Sequence, residues 1–82
     1  MPNVIVAFSK PENGRNIRNI LVKSGFHVVA VCTSGAQILT AAEELDRGVV
    51  VSGGKFPDMV YGEVCRMLPE EFSMLVMAKA GA

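Results

Sequence analysis

Four short apolar runs, separated by segments with helical spacing, restrict this chain to a narrow set of folds. Val4-Ile5-Val6-Ala7-Phe8, Val28-Val29-Ala30-Val31-Cys32, Val49-Val50-Val51 and Met74-Leu75-Val76-Met77 contain no charged residue. A strand with one wet face alternates apolar and polar residues; an unbroken apolar run belongs to a strand covered on both faces. Parallel strands are joined by crossover helices that land on the faces of the sheet, so covered strands and intervening helices belong together. The intervening segments fit. Ile17, Ile20 and Leu21 recur at helical spacing. Ile38, Leu39, Ala42 and Leu45 form one stripe, with Glu43 and Glu44 directed outward. A third helix is expected from about residue 60 to 68, with Val60, Val64 and Leu68 on one face. The order βαβαβαβ predicts a single α/β domain with a parallel sheet, helices on both faces and right-handed crossovers.

Punctuation residues agree. Ser9 is a candidate N-cap, with Pro11 and Glu12 in the first helical turn. Gly25 is placed to end that helix, Thr33-Ser34-Gly35 to start the next, and Pro69 to stop the third.

Composition narrows the function. A chain of 82 residues makes one small domain, and its 50% hydrophobic content supports a core and argues against disorder. Eight basic and eight acidic residues give zero net charge, which offers no electrostatic footprint for nucleic acid or an anionic membrane. No apolar run approaches a membrane span, and Met1-Pro2-Asn3-Val4 lacks the pattern of a signal peptide. The expected location is cytoplasmic.

Single chemical groups point nowhere strongly. Cys32 and Cys65 lie far apart, in no metal-ligand spacing, and read as reduced thiols. His27, the only histidine, has no partner acid or nucleophile near it in sequence and reads as a solvent-facing loop residue. Met59, Met67, Met74 and Met77 read as core or interface filler. Arg15, Arg18 and Lys23 fall on the outer face of the first helix, a solvated face or, on a sharper reading, a weak partner surface. Ser52-Gly53-Gly54-Lys55 has the flavour of a phosphate-binding loop. The spacing of that motif, however, puts Val49 at its first glycine and Phe56 where a hydroxyl residue belongs. Two glycines are expected to allow a tight turn with positive φ, and a nest of backbone N–H groups there is an anion-binding alternative.

The chain resembles the receiver domain of response regulators, the CheY-like family. The resemblance is carried by the first strand and its loop to Pro11, by the helix close Leu21-Val22-Lys23-Ser24-Gly25-Phe26, and by Thr33-Ser34-Gly35 leading into Ala36-Gln37-Ile38-Leu39. The third strand with its four-residue loop and Pro57 completes it. It spans essentially the whole chain but not a receiver's last elements. It implies a flavodoxin-like sheet and a phosphorylation pocket: an acidic pair on Mg²⁺, an acceptor carboxylate ending the third strand, a hydroxyl after the fourth strand and a lysine after the fifth. In this register the acidic pair falls on Phe8 and Ser9, the acceptor on Gly53 and the hydroxyl on Ala78, and the lysine has no counterpart. None of these can hold a hard cation or accept a phosphoryl group. Asp58 lies beyond Pro57 and Glu12 belongs to the first helix, so a shifted register does not restore the pocket. The expectation is a degenerate receiver without aspartyl phosphorylation, catalytic residues, metal or cofactor.

The resemblance also implies strand order 2-1-3-4-5. Without a fifth strand, Met74, Leu75, Val76 and Met77 would form an apolar edge that neither charge nor proline blunts, and one sheet face would lack a helix. The expected partner is a protein, with a homodimer through the fourth strands, or by exchange of elements, as the specific form. Direct nucleic-acid and membrane binding are not expected. Two alternatives stay open: the receiver-like start of a longer regulator with an RNA-binding ANTAR-type antiterminator or other output module, and a small α/β phosphate or nucleotide binder using residues 52–55.

Overall fold

A computed structural model describes residues 2–77. The elements are β1 (Asn3–Ala7), α1 (Pro11–Lys23), β2 (His27–Cys32), α2 (Gly35–Glu43), β3 (Gly48–Ser52), α3 (Tyr61–Met67) and β4 (Phe72–Val76). All strand pairs are parallel and their order is β2-β1-β3-β4, the flavodoxin-like arrangement expected from the alternation of apolar runs and helices.

Helix ends show which local signals act. Lys10, not Ser9, is the N-cap of α1, in extended conformation and without a side-chain cap bond. Pro11 fixes a helical φ at the first helical position, so the helix begins there and the cap falls one residue before it. At the other end Gly25 has φ +91°. Phe26 N donates to Leu21 O at 3.0 Å and Gly25 N to Val22 O at 3.1 Å, a Schellman close that satisfies the last carbonyls. In α2 the Ser34 hydroxyl accepts from Gln37 N, while Gln37 Oε1 reaches back to Thr33 N at 2.7 Å. The third helix is shorter than its apolar spacing suggests. Val60 is an extended N-cap and is exposed, so only Val64 of the expected stripe is fully buried.

Strand alternation assigns the faces. Ile5, Ala7, Cys32 and Val50 form one core cluster with Ile38 and Ala42 of α2 and Val64 of α3. Val4 and Val6 are buried but lie outside that cluster, on the face that α1 covers. Gly14 of α1 packs there: a Cβ on it would stand 3.0 Å from Val31 Cγ1. One edge is irregular. The pairing of β1 with β2 shifts between Val4↔Val28 and Ile5↔Ala30, leaving Val29 as an extra residue on β2. β4 begins at Phe72, two residues before its apolar run, because Phe72 N closes a turn onto Pro69 O at 3.0 Å and the buried ring enters the core.

Candidate functional site

The chain leaves β1 for β2 on one side and later lays β3 on the other, so a crevice opens beyond the carboxyl ends of β1 and β3. It is a cleft of about 620 Å³. Phe8, Ser9 and Lys10 line it from the β1–α1 connection, and Gly53, Gly54 and Lys55 from the loop after β3. The structure therefore brings together Phe8, Ser9 and Gly53, three of the four positions the receiver resemblance singled out. Ala78 lies outside the described residues.

Backbone bonds hold these residues in place. Phe8 N donates to Cys32 O at 3.1 Å and Gly53 N to Ala7 O at 3.0 Å. A Cβ built on Gly53 would stand 3.2 Å from Phe8 Cδ1. The ring crowds the spot from which a side chain at position 53 would grow, so Phe8 and a glycine at 53 suit each other. Neither Gly53 nor Gly54 has positive φ, contrary to expectation; Gly25 is the one residue with positive φ among those described. The turn is made further on, where Phe56 N donates to Met59 O and Tyr61 N to Gly54 O around a bridge between Lys55 and Val60. Phe56 is buried beneath it. A P-loop leads directly into a helix, whereas here α3 starts at Tyr61, after this turn. Ser52 does not line the cleft either. It is fully buried, and its hydroxyl has no hydrogen-bond partner among the described residues.

The carboxylate in the loop after β3 is occupied elsewhere. Asp58 Oδ1 accepts from Gly35 N at 2.8 Å and Oδ2 from Ala36 N at 2.9 Å. These bonds, that from Ala36 foremost and Gly35 next, hold its carboxyl below the usual carboxylate range against an opposing desolvation. Asp58 thus caps α2 from the loop after β3. Sequence reasoning missed this role because the partners are 23 and 22 residues away and no local pattern announces the pair. Cys32 is buried and Cys65 exposed; both are free, and burial pushes the Cys32 thiol up. Among the described residues no group of three or more His, Cys, Asp or Glu could hold a metal, and no helix is long and apolar enough to cross a membrane.

The second candidate is the β4 edge. Among the described residues β4 pairs with β3 alone. Leu75 is 59% exposed, and Val76 and Met77 are exposed as well. Met74, also in β4, is partly buried against the core cluster, and Met77 lies just past the end of the strand. No family model matches this chain, and neither a curated protein nor a solved structure matches it significantly.

Proposed function

We propose that this domain is a non-catalytic signalling module of the pseudo-receiver kind. It acts in the cytoplasm through protein–protein contact, without aspartyl phosphorylation, and its partner is a second copy paired along β4. The observation that carries this reading is the edge itself: Leu75 and Val76 are exposed on a strand with one neighbour among the described residues, and Met77 is exposed just beyond it. An apolar, unpaired edge is a template for another strand. The opposite edge, β2, is interrupted at Val29 and is the poorer template. A two-fold axis would pair two copies of β4 antiparallel and join the two sheets into one. The crowding of Gly53 by Phe8 and the engagement of Asp58 by α2 support the non-catalytic part of the reading.

Light scattering across the micromolar range tests it. The expected result is a dimer that Leu75→Lys converts to monomer; a wild-type monomer throughout that range would overturn the pairing. Acetyl phosphate with Mg²⁺ should leave the mass of the chain unchanged, whereas a stoichiometric aspartyl phosphate would overturn the non-catalytic reading.

A further inference from the structure

Zero net charge conceals a polarity along the strands. At the amino end of the sheet a cleft of about 650 Å³ is lined by Glu44 and Asp46, with Arg47. At the carboxyl end the cleft described above carries Lys10 and Lys55, with the Ser9 hydroxyl and the Asn13 amide, and no carboxylate among its described lining residues. That is the inverse of a cation pocket. Its backbone agrees. Gly53 N and Phe56 N are bonded to carbonyls, but between them Gly54 N and Lys55 N donate to no backbone carbonyl among the described residues. Gly54 also lacks a structural reason to be glycine. Its φ is not positive, and a Cβ there would meet nothing within 4 Å. A bare residue at that point leaves the peptide open to a ligand in the cleft.

We propose that the cleft binds a small oxyanion of the phosphate class, held non-covalently by Lys10 and Lys55 and by the N–H groups of Gly54 and Lys55. Two ammonium groups supply charge, and adjacent backbone donors supply direction. The cleft is large enough for an organic group carried on the phosphate. Met77 lines the cleft as well as ending the β4 edge, but the oxyanion site and the β4 contact have separate readouts.

The test is a titration of the isotope-labelled full chain with sodium phosphate, followed by amide chemical shifts, beside sodium chloride at matched ionic strength. Phosphate is expected to move the Ser9, Gly54 and Lys55 signals saturably and to leave Asp46 and Arg47 at the other end in place. The double variant Lys10→Ala, Lys55→Ala should weaken binding by about tenfold or more. Both lysines are exposed, so the variant keeps the fold, which its own amide spectrum verifies; if it does not fold, the wild-type titration decides alone. Equal shifts in chloride, failure to saturate, or unchanged affinity in a folded double variant would overturn the proposal. Glycerol 3-phosphate run in parallel separates the sources: tighter binding assigns a phosphomonoester, equal or weaker binding the free ion, and either supports the oxyanion site.

Discussion

The two faces of the sheet are finished to different degrees. On one, α2 and α3 close over Ile5, Ala7 and Val50, and the packed side chains Ile38 and Val64 are completely buried. On the other, α1 lies over β2 and β1, burying Val4 and Val6 while Val31 beside Gly14 stays partly exposed, and Leu75 of β4 is left uncovered. A helix covers roughly two strands of a sheet, being about 10 Å wide against a strand spacing of about 4.8 Å. A single helix therefore leaves the flanks of a four-stranded sheet open. The difference separates the surface that folds the domain from the surface that is free for contact.

The sharpest way to break that comparison is to truncate one residue on each face. Ile38→Ala should cost about 2–5 kcal/mol, enough to unfold much of a domain this small. Urea denaturation followed by circular dichroism measures it, and a loss within noise would mean the closed face is not the core. Asp58→Ala comes next, because it removes the carboxylate that ties the loop after β3 to the start of α2. Its urea midpoint should fall below that of the wild type at neutral pH. The sign with pH follows from the lowered carboxyl. Its stabilisation is complete above the ordinary carboxylate value and is lost as pH falls through the depressed folded one. The two midpoints should therefore converge in acid; a gap independent of pH would contradict the capping role. Ser52→Ala should be neutral or stabilise by up to about 1 kcal/mol, since it removes a buried hydroxyl with no partner among the described residues. A clear loss in the same urea experiment would reveal a partner for that oxygen. The smallest change is expected from Leu75→Ser on the open face, within about 0.5 kcal/mol on monomer stability. A cost near that of Ile38→Ala would show Leu75 to be part of the core after all.

The same contrast explains what the sequence made legible. Continuous apolar runs and helical spacing gave strand number, helix number and order, because each is a pattern of residue type along the chain, although β2 and β4 turn out to leave Val29, Val31 and Leu75 exposed. Gly25 was readable too: a left-handed residue at a helix end strongly favours glycine. Ser9 was misread as a cap because a side-chain oxygen beside a helix start is a weaker signal than the fixed φ of Pro11. Val60 fitted the helical period but lies one residue outside the helix, since period alone does not say where a helix begins. Positive φ at Gly53 and Gly54 was a wrong inference from residue type, because the turn is made by residues 56–59 and closed by the bond from Phe56 to Met59.

By itself, then, the sequence determined the α/β class, the order of elements and the absence of a carboxylate at Phe8, Ser9 and Gly53. Each depends on residue type at a position, and residue type is what a sequence states. Tertiary structure decided the rest through contacts between residues distant along the chain. It placed the Phe8 ring against Gly53, gave the Asp58 carboxylate to α2, turned Met74 inward while leaving Leu75 out, and gathered Lys10 and Lys55 around one cleft in a chain of zero net charge. Net charge is a sum over residues; where the charges stand is set by the crossovers that bring β1 and β3 side by side.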